Sequence, residues 1–415
     1  MKILHVVHGY APSVGGSQWL VQNLSEQLSA RYQDEVTVFT TVAYNMNHFW
    51  GEAGPVMPAG REEINGVSVH RFPVENRLST VRMVLAGLTT RLKLPYNDWF
   101  RTLYNGPIIW GLKRAIAHSQ VDVIMAGTFP LRHMYDALAG AKRGGIPIIL
   151  LGAIHAEDRW GYERQSMYRA IRQANAYIAL TPFERQYLIE RDIEPHKITV
   201  IGGGVHAQTF QQVEGNGLRK QYSWGDAPVI TSIGKYVARK RFDTLLAAMP
   251  LVWAAHPAAR LVIAGAHGPS LARLNSLVQA LPPSQQAQIT LMTDFPEAQK
   301  AALLAASDIF VLPSAEESFG IAFVEAWAGG KAVIGTRTGA VASLIDEGQD
   351  GLLFTAGDAG DLARAISALL AEPARRVQLG EAGRQKVLQN YRWEIVVDRF
   401  RSVYQDVVAQ HNTVT

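Results

Sequence analysis

The hydrophobic and polar positions along this chain form two series of short apolar runs. The first series is rich in β-branched residues, and stretches with helical spacing separate most of its members, as expected for parallel β–α units. Its runs lie at 3–7, 35–40, 67–72, 121–126, 146–151, 175–180 and 197–202. The second series predicts strands at 228–234, 259–265, 288–292, 308–313 and 331–336. We therefore predict two sheets, each formed by its own series.

The segment between the two series, residues 211–226, is polar, contains glycine and shows no clear period. Such a stretch is typical of a connection between domains. The predicted organisation is therefore a first domain, a connection, a second domain and a helical tail, at 1–205, 206–226, 227–390 and 391–415. Because both halves share the same strand–loop–helix order, we predict an α/β protein with two Rossmann-like domains facing across a central cleft.

Composition limits the possible chemistry. The chain has 415 residues, of which 48% are hydrophobic and 18% charged, and this suits two packed domains. It contains no cysteine, which excludes disulfides, thiolate metal sites and cysteine nucleophiles. The first strand leads directly into a loop, without a signal-peptide pattern, and about 18 uninterrupted apolar residues occur nowhere. We expect a cytoplasmic protein.

The net charge of +4 is modest, but residues 77–114 are locally basic. This segment, called the basic aromatic segment below, has one acidic residue, Asp98, and five aromatic residues among its cations. The cations are Arg77, Arg82, Arg91, Lys93, Arg101, Lys113 and Arg114. Such a mixture fits peripheral contact with an anionic membrane at its inner face. A solvated helix face with aromatic residues in the core is the alternative interpretation.

The run 313–330, PSAEESFGIAFVEAWAGG, contains the strongest candidate site. A strand ends at Pro313, a small polar loop follows, and helix-forming residues resume after Gly320. Unpaired backbone N–H groups at the start of a helix favour an anion such as a diphosphate. Glu317 and Glu325 offer carboxylates that suit sugar hydroxyls. The structural alternative is a buried helix acid paired with a base, with Glu317 as a solvated loop residue.

Three further sets of residues follow predicted strands. Gly234 is followed by four cations, which suit a pyrophosphate leaving group unless they are simply solvated: Lys235, Arg239, Lys240 and Arg241. Gly15 and Gly16 form a phosphate-type loop that lacks the full glycine pattern of a dinucleotide fingerprint or a P-loop. His155 follows the strand at 146–151, at the edge where α/β sites lie, although a lone histidine is often structural. No residues with metal-ligand spacing accompany it.

The run PSAEESFGIAFVEAWAGGKAVIGT resembles the donor-site signature of the retaining family 4 glycosyltransferases of GT-B fold. The resemblance extends over nearly the whole chain, because four further motifs and the histidine after the fifth strand occur in the family's order. These motifs are GGSQ, ALTPFERQYL, GKYVARKRFD and NYRWE. The resemblance implies a cytoplasmic enzyme of polysaccharide biosynthesis that uses a UDP-, GDP- or ADP-sugar and requires no metal. Its acceptor would be a carbohydrate or a lipid-linked glycan of the cell envelope.

The resemblance also implies roles for individual residues. Glu325 would hold the ribose hydroxyls, Glu317 and His155 would contact the transferred sugar, and Lys235 and Lys240 would bind the diphosphate. Backbone groups of Phe319, Gly320 and Ile321 would line the phosphate and sugar. Gly15 and Gly16 would allow backbone to approach the diphosphate from the other domain. The C-terminal helix would cross back to the first domain.

The resemblance implies a retaining reaction in which the leaving phosphate helps to deprotonate the acceptor on the same face of the sugar. Enzyme cations would stabilise the departing charge, and no protein nucleophile would be needed. Two enzymatic alternatives share such lobes, a sugar-nucleotide epimerase and a phosphorylase. A non-catalytic protein that binds sugar or a membrane surface is the alternative from another class. No nucleic-acid partner is expected.

Overall fold

The fold is described from a computed structural model that covers residues 1–13 and 15–414, without the side chain of residue 414. The chain divides into two compact units. The first unit contains residues 1–203 and the chain from Trp393 onward, and the second contains residues 204–392. Each unit is an α/β structure with its own sheet. The sheet of the first unit is mostly parallel, and that of the second unit is wholly parallel.

Within the described residues, the first sheet has eight strands in the order β3-β4-β2-β1-β5-β6-β7-β8. All neighbours are parallel except β3 and β4, which pair antiparallel. The strands are β1 (Lys2–Val6), β2 (Glu35–Thr41), β3 (Gly60–Ile64), β4 (Val67–Phe72), β5 (Val123–Gly127), β6 (Ile148–Leu151), β7 (Ala176–Ala179) and β8 (Ile198–Val200).

Helices connect these strands, as parallel pairing requires. The connecting helices are α1 (Gly16–Tyr32), α2 (Ser79–Arg91), α3 (Asn97–Asn105), α4 (Leu112–Ala117), α5 (Arg132–Gly144), α6 (Arg159–Tyr162), α7 (Gln165–Gln173) and α8 (Pro182–Ile189). The inner strands are buried on both faces, which explains why they read as nearly continuous apolar runs.

The second sheet is wholly parallel, with the order β11-β10-β9-β12-β13-β14. Its strands are β9 (Val229–Ile233), β10 (Arg260–Gly265), β11 (Ile289–Thr293), β12 (Ile309–Leu312), β13 (Ala332–Thr336) and β14 (Gly351–Phe354). The helices of this unit are α9 (Asn216–Gln221), α10 (Phe242–Ala255), α11 (Leu271–Gln279), α12 (Pro283–Gln286), α13 (Lys300–Ala306), α14 (Ile321–Ala328), α15 (Gly339–Leu344), α16 (Ala359–Ala371) and α17 (Pro373–Asn390).

The last helix, α18 (Trp393–Val414), belongs to the first unit, where it packs on α1. The Trp19 and Trp393 rings lie 5.3 Å apart, and Arg401 Nε donates a hydrogen bond of 2.9 Å to Asp34 Oδ2. Deeper in the unit, the ring of His5 and the hydroxyl of Tyr404 are joined by a hydrogen bond of 3.1 Å. Polar bonds and aromatic packing thus hold this helix to the unit that begins the chain.

Every predicted strand is present, so the predicted class of two α/β sheets is confirmed, with two additional strands. The antiparallel strand β3 lies at the edge of its sheet, where its exposed sequence GREEI carries little apolar signal. Strand β14 also lies at an edge, and only four residues form it. Edge strands need fewer buried positions than central ones, and this explains why hydrophobic patterning missed β3.

Helix α2 has an inverted distribution of side chains. It buries Arg82, Ala86 and Thr89 and exposes most of its apolar residues. The guanidinium of Arg82 donates hydrogen bonds to the carbonyl oxygens of Phe49 (2.9 Å) and Leu103 (3.1 Å). A buried charge needs such partners. Two of the seven cations of the basic aromatic segment, Arg82 and Arg101, are buried and add no charge to the surface. The surface of this segment is therefore less basic than the sequence predicted.

The aromatic residues of the same segment do not all lie in the core. Trp99 is 54% exposed and Trp110 is 78% exposed, whereas Phe100 and Tyr104 are half-buried.

None of the helices in the described residues combines the length and the apolar character needed to span a membrane.

Candidate functional site

The loop that joins β12 to α14 carries Glu317 and ends at Gly320, the residue before the helix. Gly320 has φ +94°, a left-handed backbone conformation that strains other residues. A Cβ atom at this position would also lie 2.9 Å from the Phe323 ring. Glycine at this position therefore allows the chain to turn abruptly from the loop into the helix.

Glu317 is paired with Lys240 inside the second unit. Lys240 Nζ donates a hydrogen bond of 2.5 Å to Glu317 Oε1, and both side chains are nearly buried, at 13% and 10% exposed. The two loops that carry them are also tied together, because the Ser314 hydroxyl and the Ala315 N–H both donate to the Arg239 carbonyl oxygen. Their relative position is therefore fixed by backbone and side-chain bonds.

The carboxyl of Glu317 is held in its ionised form. Burial acts to raise the pKa of this carboxyl, but the Lys240 ammonium, helped by Arg239 and the Ser314 hydroxyl, holds the pKa below its ordinary value. Glu317 is therefore an acceptor of hydrogen bonds near neutral pH and is unsuited to donate a proton.

Glu325 lies on α14 and is paired with Lys300, the first residue of α13. Lys300 Nζ donates a hydrogen bond of 2.8 Å to Glu325 Oε1, and the Glu325 side chain is 7% exposed. Burial raises the pKa of the Glu325 carboxyl, and the ammonium of Lys300 offsets only part of that rise. Glu297 also pairs with Lys300 and adds a second negative charge nearby.

The sequence also allowed a purely structural interpretation of the two acids. These contacts agree with that interpretation for Glu325 and disagree with it for Glu317. Glu325 is a buried helix acid paired with a base, as that alternative described. Glu317 is nearly buried and paired with a lysine, so it is not a solvated loop residue. The identity of the base was missed from the sequence. Its signal was available, because Lys300 is the charged residue of an otherwise apolar helix, KAALLAA.

The four cations that follow Gly234 have different environments. Lys240 is neutralised by Glu317, and Arg241 pairs with Asp243 at 3.2 Å. Lys235 and Arg239 are exposed, and neither has a carboxylate partner among the described residues. The positive charge at the end of β9 that can attract an anion therefore comes mainly from Lys235 and Arg239.

The remaining predicted residues of this unit lie where the loop meets α14. Phe319 is buried, and its ring contacts the Tyr391 ring edge-on with centroids 5.6 Å apart. Ile321 is half-buried at the first helical position, directly after Gly320. The structure therefore brings Glu317, the start of α14 and the end of β9 into one neighbourhood, with Glu325 further along the helix.

The loops after β10 and β11 are joined to each other. The His267 N–H donates a hydrogen bond of 2.9 Å to Asp294 Oδ1. Beneath them, the Tyr236 hydroxyl donates to the carbonyl oxygens of Ile263 (2.7 Å) and Met292 (3.4 Å). Strands β10 and β11 are thus held to the loop after β9, which carries the cations.

Gly15, Gly16 and His155 lie in the first unit, after the carboxyl ends of β1 and β6. Gly15 precedes α1, and a Cβ atom added at Gly16 would meet no atom within 4 Å. The space beside the Gly16 backbone is therefore open. His155 is half-buried, with its ring 5.7 Å from that of Tyr162. The roles predicted for these three residues stay predictions.

Comparison with known families gives two matches that together include most of the chain. The model described as "Glycosyl transferase 4-like domain" matches residues 15–204, and the model described as "Glycosyl transferases group 1" matches residues 216–386. The second match contains both glutamate–lysine pairs, Glu317–Lys240 and Glu325–Lys300.

Curated relatives are similar over shorter stretches. The lipopolysaccharide core biosynthesis glycosyltransferase LpsE of Rhizobium meliloti is 32% identical over 42% of this chain and 49% of its own length. The GDP-mannose-dependent alpha-(1-6)-phosphatidylinositol monomannoside mannosyltransferase of Mycolicibacterium smegmatis is 30% identical over 42% of this chain and 47% of its own length. The chain thus spans about half the length of these curated relatives.

Solved structures are similar over nearly the whole chain. Alr3699/HepE of Anabaena, solved in complex with UDP, aligns with a TM-score of 0.73 at 16% identity. The alignment covers 98% of this chain and 100% of that protein. At this level of identity the similarity concerns the fold, which is that of the GT-B glycosyltransferases.

Proposed function

Because the chain belongs to the glycosyl transferases group 1 family, we propose that it transfers a sugar from a nucleotide-sugar donor to a carbohydrate or lipid-linked acceptor, with retention of anomeric configuration. The donor is a UDP-, GDP- or ADP-sugar. The second unit binds this donor and the first unit binds the acceptor. The acceptor belongs to the cell envelope, in line with the names of the two curated relatives.

The observation that carries this proposal is the arrangement around the start of α14. Two ionisable pairs, Glu317–Lys240 and Glu325–Lys300, lie within one unit, and the exposed cations Lys235 and Arg239 follow β9. Carboxylates accept hydrogen bonds from hydroxyl groups, and lysine and arginine neutralise phosphate. The arrangement therefore suits a ligand that carries both hydroxyls and a diphosphate.

Each residue has a defined part in the proposed reaction. Glu325 accepts hydrogen bonds from the ribose, Glu317 accepts them from the transferred sugar, and Lys240 orients Glu317 beside the diphosphate. Lys235 lies where its charge can stabilise the departing phosphate, and the N–H groups at the start of α14 contribute in the same direction. Negative charge builds up on the leaving group as the glycosidic bond to it breaks, so these groups stabilise the transition state more than the ground state.

The chain itself supplies no nucleophile in this proposal. The leaving phosphate oxygen takes the acceptor proton on the face of the sugar from which it departs, which gives retention. In the first unit, His155 has the proposed role of a partner for the transferred sugar, and Gly15 and Gly16 that of backbone donors.

The transfer reaction is tested with radiolabelled UDP-, GDP- and ADP-sugars and a panel of soluble and lipid-linked glycan acceptors. We expect labelled product with one donor, and its anomeric configuration, read by NMR, should match that of the donor. Labelled sugar nucleotide of altered configuration without acceptor would identify an epimerase, and sugar phosphate formed with added phosphate would identify a phosphorylase. Absence of both transfer and donor hydrolysis across the panel would favour a non-catalytic binding protein.

The role of Glu325 is tested by isothermal calorimetry with the nucleoside diphosphate that binds most tightly. We expect Glu325→Ala to weaken binding by at least about tenfold, because hydrogen bonds to a charged group contribute roughly 1.5–3 kcal/mol. Glu297→Ala, which removes an exposed carboxylate nearby, serves as the control and should not weaken binding. Equal affinities for the wild type and Glu325→Ala would contradict this role.

The proposal includes peripheral contact with an anionic membrane through the basic aromatic segment. The exposed apolar face of α2 consists of Val81, Val84, Leu85 and Leu88, which repeat at helical spacing and are 38–57% exposed. Leu92, Tyr96, Trp99 and Trp110 extend this exposed apolar surface. Exposed apolar patches mark contacts with proteins or membranes, and an amphipathic surface with aromatic residues and cations suits the membrane interface.

Charge supports the same contact. Arg77, Arg91, Lys93 and Arg114 are exposed, and none has a carboxylate partner among the described residues. Near an anionic surface each such cation contributes about 1 kcal/mol. In this proposal the enzyme works at the inner face of the membrane, where a lipid-linked acceptor would be presented to the first unit.

Membrane contact is tested by flotation with vesicles of pure phosphatidylcholine and of phosphatidylcholine mixed with phosphatidylglycerol. We expect binding to the anionic vesicles only, and loss of that binding in the double variant Val84→Asp, Leu88→Asp. Val377→Asp replaces an exposed valine of the second unit, 70% exposed, and should bind as the wild type does. Equal binding to both kinds of vesicle, or none to either, would remove the basis of this part of the proposal.

A further inference from the structure

Lys300 is an unusual residue for its position. It begins α13, whose other residues are alanine and leucine, and its side chain is 13% exposed. Placing a lysine in a nearly buried position is costly unless its ammonium is paired. Here the ammonium is bonded to Glu325 and to the exposed Glu297, so two carboxylates from different elements meet at one cation.

The hydrogen bond from Lys300 occupies one oxygen of the Glu325 carboxylate. Oε1 receives the bond of 2.8 Å, and Oε2 accepts no hydrogen bond from the described residues. Oε2 is not fully buried, so it can accept a hydrogen bond from a ligand. The side chain keeps 7% of its surface exposed, so a ligand can reach the carboxylate.

Lys300 also determines the charge of this carboxylate. Two charged groups act on Glu325, the ammonium of Lys300 on α13 and the carboxylate of Glu297 just before that helix. Burial and Glu297 both favour the neutral acid, and Lys300 opposes them. Without the lysine, the carboxyl would be neutral over a wider range of pH and a weaker acceptor.

From this geometry we infer that Lys300 is a positioning residue for the donor site. It holds Oε1 of Glu325 and directs Oε2 to the vicinal hydroxyls of a nucleotide ribose, so that the site distinguishes ribonucleotides from 2′-deoxyribonucleotides. The inference rests on the proposed function, since it takes Glu325 as the ribose partner. It adds a residue on a separate helix that acts on the ligand through Glu325.

The test compares nucleoside diphosphates with and without the 2′-hydroxyl. Calorimetry on the wild type first selects the tightest binder among UDP, GDP and ADP, and then measures its 2′-deoxy counterpart. We expect the wild type to prefer the ribonucleotide by roughly tenfold or more, as hydrogen bonds to a charged acceptor allow. In Lys300→Met the affinity for the ribonucleotide should fall toward that for the deoxynucleotide, so that the preference nearly disappears.

A double-mutant cycle separates positioning from direct contact. If Lys300 acts only through Glu325, then Lys300→Met changes the affinity in the wild-type background and leaves it unchanged in the Glu325→Gln background. The double variant Lys300→Met, Glu325→Gln removes both partners of the pair and so leaves neither charge buried without the other. If Lys300→Met alone folds poorly, the double variant can still be compared with Glu325→Gln. Equal losses in both backgrounds would mean that Lys300 touches the ligand itself, and this would overturn the inference.

Two control variants match Lys300→Met. Lys331→Met removes another half-buried lysine, whose Nζ donates to the Ala305 carbonyl oxygen at 3.2 Å near the other end of α13. Glu297→Gln removes the exposed partner of Lys300. Both should keep the preference for the ribonucleotide. Loss of the preference in Lys331→Met would show that general weakening of α13 is sufficient, contrary to the inference.

The pH dependence gives a second measurement. Because removal of Lys300 leaves burial and Glu297 acting on Glu325, nucleotide affinity in Lys300→Met should fall more steeply than in the wild type as the pH is lowered from 8 to 6. A wild type that binds none of the nucleotides would refute the proposed function itself. If the wild type binds a nucleotide and prefers the ribonucleotide, and Lys300→Met shows the same preference and pH profile, then the inference about Lys300 is refuted while the proposed function stands.

Discussion

The Glu317–Lys240 and Glu325–Lys300 pairs lie in the same unit and are similarly buried, and they differ in the groups around them. Glu317 has a second cation, Arg239, and the Ser314 hydroxyl nearby, and its pKa is lowered although burial opposes this. Glu325 has a second anion, Glu297, and its pKa is raised. Pairing with a lysine therefore does not by itself decide the ionisation of a buried acid. The neighbours beyond the pair decide it.

This difference matches the two parts proposed for the acids. A firmly ionised Glu317, held beside cations, suits the region where charge changes during transfer. Glu325, held by one lysine and with a raised pKa, suits a binding contact that does not change during the reaction. The following predictions test whether the pairs really divide in this way.

The largest effect is expected for Glu317→Gln. The substitution keeps the size of the side chain but removes the charge that pairs with Lys240, so both the sugar contact and the cation beside the diphosphate are disturbed. We expect kcat to fall by about 100-fold or more, as when a preorganised electrostatic group is lost, with little change in nucleotide affinity. Steady-state transfer assays and calorimetry give the two quantities.

The neighbouring Glu316→Gln is the control for this prediction. The structure uses the backbone carbonyl of Glu316, as an acceptor from Arg239 and Ser314, so the change of side chain should leave kcat close to that of the wild type. A Glu317→Gln variant that weakens nucleotide binding as strongly as Glu325→Ala would end the proposed division between the two acids.

An intermediate effect is expected for Gly320→Ala, in the joint between the loop of Glu317 and the helix of Glu325. The φ of +94° and the contact with Phe323 should cost roughly 1–3 kcal/mol of unfolding free energy. Urea unfolding measures this loss. Gly16→Ala is the matched control, because its added methyl meets no atom within 4 Å, and its stability should lie within about 0.5 kcal/mol of the wild type.

Gly16→Ala has a second use. If backbone at this position approaches the donor, the variant should lose transfer activity while it keeps its stability. A destabilised Gly16→Ala, or a Gly320→Ala as stable as the wild type, would contradict the geometry on which this prediction depends.

The smallest expected effect is on the pH dependence of stability, which should have opposite signs in the Glu317→Gln and Glu325→Gln variants. The stabilisation from Glu317, whose pKa is lowered, is present above about pH 4.3 and lost as the pH falls below it. Glu325, whose pKa is raised, lowers stability as the pH rises above about 4.3, with its full effect above its folded pKa. Relative to the wild type, Glu317→Gln should therefore be more destabilising at pH 8 than at pH 4. Glu325→Gln should be less destabilising at pH 8 than at pH 4.

Urea unfolding of both variants at the two pH values measures this difference, which is about 1.4 kcal/mol for each unit of pKa shift. The same sign of pH dependence in both variants would show that the two acids share one environment, against the comparison made above.

The sequence by itself determined the architecture of both units. Runs such as 123–126 and 309–312 are apolar at every position because parallel strands are buried on both faces, and this signal is local. The candidate site also followed from local order, since Glu317, Gly320 and Glu325 lie on one stretch where a strand, a loop and a helix succeed one another. Strand β3 was missed because its exposed edge sequence GREEI carries little of that apolar signal.

Only the tertiary structure decided which groups meet. Lys300 lies 25 residues before Glu325, and Lys240 lies 77 residues before Glu317, so no spacing rule could have assigned the partners. The orientation of α2 was equally hidden, because a helix that buries Arg82 and exposes Val84 and Leu88 has the same composition as one that does the reverse. Burial and pairing depend on what packs against each element, and that is a property of the folded chain.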